Sequence, residues 1–218
     1  MIKLSMVGML FATALQAQPP VPLVEYPAPG SKTDYFILVL SGDGGWHGGM
    51  QDFAHYFEQQ GIPVVGWDAK EYFDDEVDKA VFQADLEEVI QKYSRQWNKQ
   101  TSLLIGYSFG ADVLPYALNH ASPSVKSQIR SVVLLQPGLF ASYEVTWATQ
   151  LNLKASGDPV LPEIEAMPLP LLLVCTNEAG SLCSQLPDDR YPRIMMPGNH
   201  SFDGKFTDLA EKILKQLP

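Results

Sequence analysis

The sequence predicts one α/β domain, a mostly parallel sheet with helices on both faces, and three observations point to it. Short, almost wholly apolar runs recur at residues 35–40, 62–67, 103–107, 132–135 and 171–174, as strands covered on both faces require. Amphipathic stretches of helical length separate them. The alternation of the two is the signature of βαβ units. Composition agrees. The 218 residues are 46% hydrophobic and 18% charged, enough apolar material for one sizeable core and too little charge for a disordered chain.

The elements follow in order. Residues 1–17 carry Lys3, an apolar run from Leu4 to Leu15 and a small-residue end at Ala14-Leu15-Gln16-Ala17, which reads as an export signal. The mature, exported domain would then be residues 18–218. Residues 19–30 are proline-rich and are expected to form an extended entry segment. Residues 35–40 form the first buried strand. Residues 49–60 are expected to be helical and to stop at Gly61. A strand at 62–67 precedes one long amphipathic helix marked by Val77, Val81, Phe82, Leu86, Val89, Ile90, Tyr93 and Trp97. The strand at 103–107 leads into a helix at 109–119, which Pro115 should shorten or kink. Strands at 132–135 and 171–174 flank residues 138–168, a polar, proline-containing excursion expected to lie over the strand ends as a cap. A short strand at 193–196 and a helix through Phe206, Leu209, Ala210, Ile213 and Leu214 close the chain.

The chemistry centres on Gly106-Tyr107-Ser108-Phe109-Gly110. A Gly-x-Ser-x-Gly match alone is weak. Here it follows an apolar strand and opens a helix, as a nucleophile elbow must. Ser108 is the expected nucleophile of an α/β-hydrolase. Its base should lie late in the chain, because this fold orders nucleophile, acid, histidine. Of His47, His55, His120 and His200, only His200 does. The acid should follow the strand at 171–174. Glu178 is the first candidate, with Asp188, Asp189 and Asp158 as alternatives. The oxyanion hole needs two N–H donors. Phe109, next to the nucleophile, supplies one. Ser41-Gly42-Asp43-Gly44-Gly45-Trp46 supplies the other, with the Asp43 amide preferred and those of Gly42 and Gly44 as alternatives. Gly42, Gly44 and Trp46 of that loop, and Asp68 at the next strand end, are candidate substrate contacts.

Charge and cysteine usage bound the partners. A formal charge of −10 without a basic run disfavours nucleic acid. The two cysteines, Cys175 and Cys183, do not have zinc spacing, and in an oxidising compartment they are expected to pair. No cofactor and no metal are expected.

These motifs resemble a known family. The Leu40–Trp46 segment, Gly61-Ile62-Pro63-Val64-Val65-Gly66, the elbow extended through Ala111-Asp112-Val113-Leu114-Pro115, Leu135-Gln136-Pro137-Gly138 and Pro197-Gly198-Asn199-His200-Ser201-Phe202-Asp203-Gly204 are similar to the bacterial virulence family of VirJ and AcvB. The resemblance implies a periplasmic α/β-hydrolase-like domain acting on an aminoacyl ester, notably lysyl-phosphatidylglycerol. A cationic lysyl group would give Asp43 or Asp68 something to hold. It also implies transient contact with a membrane surface and association with secretion. Two functions compete. One is a serine esterase. The other is a non-catalytic periplasmic accessory factor on the same fold.

Overall fold

The computed structural model describes residues 20–146, 157–178, 181–186 and 190–217. The expected signal segment, Asp188, Asp189 and residues 147–156 of the excursion lie outside them.

Seven strands form one sheet: β1 (Leu23–Tyr26), β2 (Tyr35–Leu40), β3 (Val64–Trp67), β4 (Thr101–Tyr107), β5 (Ile129–Leu135), β8 (Leu171–Cys175) and β9 (Arg193–Met195), in the order β1-β3-β2-β4-β5-β8-β9. All pairs are parallel except β1 with β3. The entry segment therefore holds an edge strand that its prolines hide. Leu23–Tyr26 lies between them and pairs antiparallel with β3. Position, not local pattern, makes it a strand. Between the strands run the helices α1 (Gly49–Gln59), α2 (Ala69–Tyr72), α3 (Lys79–Gln96) and α4 (Phe109–His120), of which α2 is a single turn.

The two faces of the sheet bury alternate residues, as the two-residue period of a strand demands. Phe36, Leu38 and Leu40 point into one core, where α3 and α4 contribute Phe82, Leu86, Val113 and Leu114. Ile37 and Val39 point into the other, closed by Phe53 and Phe57 of α1 and by Leu209 and Ile213 of the C-terminal helix, Phe206–Leu214. The N-terminus of α3 is capped by Asp78, whose carboxylate accepts from the Ala80 amide at 2.8 Å. Pro115 does not shorten α4, which runs through it to His120. Its buried residues Val113, Leu114, Ala117 and Leu118 hold the helix across the missing hydrogen bond, since packing outweighs local propensity.

Connection β2–α1–β3 runs toward one edge of the sheet, and β4–α4–β5 runs toward the other. Chain direction therefore switches between β2 and β4, which leaves a crevice at their carboxyl ends, where open α/β sheets bind ligands. The described part of the excursion forms a two-stranded sheet, β6 (Phe140–Ala141) with β7 (Asp158–Pro159), followed by a short helix, Val160–Ala166. It docks against α4. Asn119 donates to the Glu163 carbonyl at 2.8 Å. The Val77 and Val145 amides bond the Tyr143 and Phe73 carbonyls at 2.9 and 2.6 Å. Among the described residues, no helix is long and apolar enough to cross a membrane.

Candidate active site

Ser108 stands at the carboxyl end of β4 with φ 50° and ψ −117°. That positive-φ conformation is costly for a residue with a β-carbon, about 1–2 kcal/mol, and the surroundings enforce it. The Ser108 amide donates to the Leu135 carbonyl at 2.9 Å, while the Ser108 carbonyl accepts from the Ala111 amide at 2.8 Å. The flanking glycines follow from close approach. A β-carbon on Gly106 would lie 2.6 Å from the Gly110 carbonyl oxygen. One on Gly110 would lie 2.6 Å from the carbonyl oxygen of Leu40 and 2.7 Å from that of Ser41. Helix, nucleophile and the loop after β2 are thereby packed backbone to backbone.

That loop lies directly over the nucleophile: a β-carbon on Gly42 would sit 3.3 Å from Ser108 Cβ. The Gly45 amide donates to the Gly42 carbonyl at 3.0 Å, closing a tight turn around Asp43 and Gly44. The turn is braced from below. Asp68 Oδ2 accepts from the Trp46 amide at 3.0 Å, and Oδ1 accepts from the Glu71 amide at 3.2 Å. The Ser41 hydroxyl accepts from the Ala69 amide at 3.0 Å and donates to the Gly42 carbonyl at 3.1 Å. Trp46 is 7% exposed. Its indole N–H donates to the Tyr26 hydroxyl at 2.9 Å, and its ring lies on Gly66. This bears on two expected substrate contacts: Trp46 is buried beneath the loop, and Asp68 has each carboxylate oxygen on a backbone amide. An indole wedged under the turn and a carboxylate with each oxygen on a backbone amide support the site from beneath. Gly42 does face the nucleophile, and Gly44 is exposed with open space beside it.

His200 Nε2 is 2.7 Å from Ser108 Oγ. The histidine is carried on a loop tied by its own polar side chains. Asn199 Oδ1 accepts from the Ser201 amide at 3.0 Å and from the Ser201 hydroxyl at 2.8 Å. Asp203 Oδ1 accepts from the Asn199 amide at 3.3 Å. Phe202, 0% exposed, anchors the loop in the core. From the strand side the Tyr107 hydroxyl donates to the His200 carbonyl at 3.3 Å. Burial, then Asp43, then Glu178 push the Tyr107 phenol up to about 12, so it remains a donor. Tyr107, Asn199 and Asp203 are not among the expected site residues. The flanking Asn-His-Ser-Phe-Asp run carries the signal, since Asn and Asp structure loops through their own backbone.

Glu178 faces the other ring nitrogen, with Oε2 at 3.7 Å from Nδ1. This exceeds hydrogen-bond length. Both side chains are about half exposed, 46% for Glu178 and 49% for His200, so water screens the pair. Asp158 is engaged elsewhere, in an ion pair with Lys79. Cys175 and Cys183 are joined by a disulfide, which closes the loop that bears Glu178. Across the crevice, Asp112 Oδ1 accepts from the Gly138 amide at 2.6 Å. Burial raises its carboxyl well above the ordinary aspartate value, the Gly138 amide opposes the rise, and the nearby Asp43 charge adds to it. Among the described residues no group of three or more His, Cys, Asp or Glu is placed to hold a metal ion.

Solved structures share this architecture. MenH from S. aureus is 13% identical, with a TM-score of 0.64, covering 88% of this chain and 96% of its own. An alpha-beta serine hydrolase homologue from Coxiella burnetii is 15% identical, with a TM-score of 0.59 and coverages of 90% and 91%. Est1E from Butyrivibrio proteoclasticus is 13% identical, with a TM-score of 0.60 and coverages of 89% and 92%. At such identities the likeness is one of fold, and the fold is that of the α/β-hydrolases. No curated protein matches the sequence. The model of the family described as bacterial virulence protein (VirJ) matches residues 34–218, which takes in every strand of the sheet except the β1 edge, and this chain belongs to that family.

Proposed function

We propose that the protein is a serine esterase that cleaves a carboxylic ester through Ser108, His200 and Glu178. The observation that carries the reading is the 2.7 Å contact between Ser108 Oγ and His200 Nε2 on a backbone held at φ 50°. In the forward step His200 Nε2 takes the Ser108 proton as Oγ bonds to the ester carbonyl carbon. The amides of Phe109 and Asp43 stabilise the oxyanion. As the intermediate collapses, His200 returns the proton to the leaving alcohol. Water then attacks the acyl-enzyme by the same route, releasing the acid and restoring Ser108. Glu178 holds the imidazole tautomer and supports the imidazolium in each transition state.

The substrate proposed is an aminoacyl ester of a phospholipid, lysyl-phosphatidylglycerol first, in the periplasm. Family membership supports it, as does a disulfide suited to an oxidising compartment. The exposed Phe140 and Met195 are available for transient contact with a lipid surface. A fluorophosphonate probe should label the folded protein, and Ser108→Ala should abolish labelling. A folded wild type that resists the probe would reject the esterase. Lipid extracts of a strain lacking the protein should accumulate aminoacylated phosphatidylglycerol, and an unchanged profile would remove that substrate.

The 3.7 Å separation of Glu178 from His200 favours a second reading, a non-catalytic accessory factor in secretion. It predicts that Ser108→Ala and His200→Ala leave the biological role intact.

A further inference from the structure

We infer that Gln136 is a positioning residue for the acid of the triad and acts through Thr176. The inference rests on the Ser108–His200–Glu178 reading proposed above. Gln136 directly follows the β5 strand. Its amide donates to the Val174 carbonyl at 2.8 Å, continuing the pairing of β5 with β8. Its backbone then turns at φ 51°, a region where glycine is the ordinary occupant. Gln136 is 1% exposed.

The side chain accounts for glutamine at this position. Its Oε1 accepts from the Thr176 amide at 3.2 Å, and its Nε2 donates to the Thr176 hydroxyl. A peptide N–H can only donate, so it holds Oε1 and leaves Nε2 for the hydroxyl. Both ends of one amide therefore grip one residue, itself 2% exposed. Thr176 lies between Cys175 of the disulfide and the loop that carries Glu178 two residues on. The Glu178 carboxylate lies 3.7 Å from the His200 imidazole and is half exposed. Its placement is inherited from its backbone, and the clamp on Thr176 fixes that backbone at its root. Gln136 has no hydrogen bond to Ser108 or His200 among the described residues. Its influence on the reaction therefore runs through the acid, in the way outer-sphere partners orient catalytic groups.

Gln136→Met keeps the volume and removes both bonds. A displacement near 1 Å at a catalytic group costs on the order of 10²-fold, so kcat on a p-nitrophenyl ester should fall about 10- to 100-fold with KM little changed. Gln136→Gly removes the same bonds in a residue at ease with the turn and should lose as much if Gln136→Met does not fold. In a Glu178→Gln background, Gln136→Met should cost almost nothing more, because the two act as one unit. A readout free of turnover accompanies this: ¹⁵N NMR of the His200 tautomer. Wild type should hold the proton on Nδ1, while Glu178→Gln and Gln136→Met should both shift it toward Nε2. If Glu178→Gln changes tautomer and kcat while both folded Gln136 variants match wild type, the positioning role is overturned and the triad stands. If Gln136→Met costs as much in the Glu178→Gln background as it does in wild type, it does not act through the acid and the inference falls. If Glu178→Gln leaves both readouts at wild-type values, the acid assignment falls and takes the inference with it.

Discussion

The nucleophile side and the acid side of the crevice are held by different physics. Around Ser108 the constraints are steric and come from backbone. Gly106 and Gly110 abut main-chain atoms at distances no β-carbon tolerates, and the strand, elbow and helix are contiguous in sequence. Around Glu178 the constraints are side-chain contacts, one local and one brought from afar. A disulfide joins cysteines eight residues apart, and a buried amide reaches over from the end of β5. The nucleophile contacts its base at 2.7 Å, whereas the acid stands 3.7 Å away. A tight backbone turn specifies a position rigidly, and a loop pinned by a few side-chain contacts specifies it more loosely.

The largest expected effect removes the rigid side altogether. Ser108→Ala should lower ester turnover by about 10⁴- to 10⁶-fold while leaving the melting curve close to that of wild type. Glu178→Gln tests the looser side. A loss of about 10²- to 10⁴-fold would make the acid a full partner despite its exposure. A loss under about tenfold would mean the hydroxyl and imidazole act nearly alone. Gly110→Ala breaks the backbone packing, and overpacking against fixed carbonyls should cost about 3 kcal/mol, read as a drop of roughly 6–12 °C in Tm. An unchanged Tm would show that the elbow can yield. Replacing Cys175 and Cys183 together by alanine should remove about 2–3 kcal/mol by the chain-entropy argument for so short a loop. Ser108 should still react with the phosphonate probe, at the reduced rate of Glu178→Gln. If the probe rate stayed at the wild-type value, the staple would serve stability alone.

The smallest effect is a pH dependence at Asp112, across the crevice from the acid loop. Its carboxyl titrates above the ordinary value of 3.8 in the folded protein. The folded state therefore binds more protons than the unfolded one between that value and its own raised pKa. Stability contributed by this group falls as pH rises through that window and levels off above it. Asp112→Asn keeps an acceptor for the Gly138 amide and has no proton to lose. Its Tm relative to wild type should climb as pH rises from about 4. A pH-independent difference would deny Asp112 this strain.

The sequence alone determined what local rules control. Buried parallel strands announce themselves as apolar runs, so every strand of the main sheet but β1 was legible. The elbow was legible because strand, Gly-x-Ser-x-Gly and helix are consecutive, and His200 because chain order left one candidate. Glu178 was reached from its place after β8, with Asp158, Asp188 and Asp189 open beside it, the last two outside the described residues. Only the tertiary structure removed Asp158, by pairing it with Lys79. It alone made Leu23–Tyr26 a strand, by giving it β3 as a partner, and carried α4 past Pro115. Trp46 and Asp68 stand at the right edge of the sheet, but whether a side chain there faces ligand or braces a loop depends on residues such as Tyr26 and Gly66, distant in sequence. Gln136 is hidden for the same reason. Its partner Thr176 lies 40 residues away, and no periodicity or motif encodes a contact that exists only when two strands lie side by side.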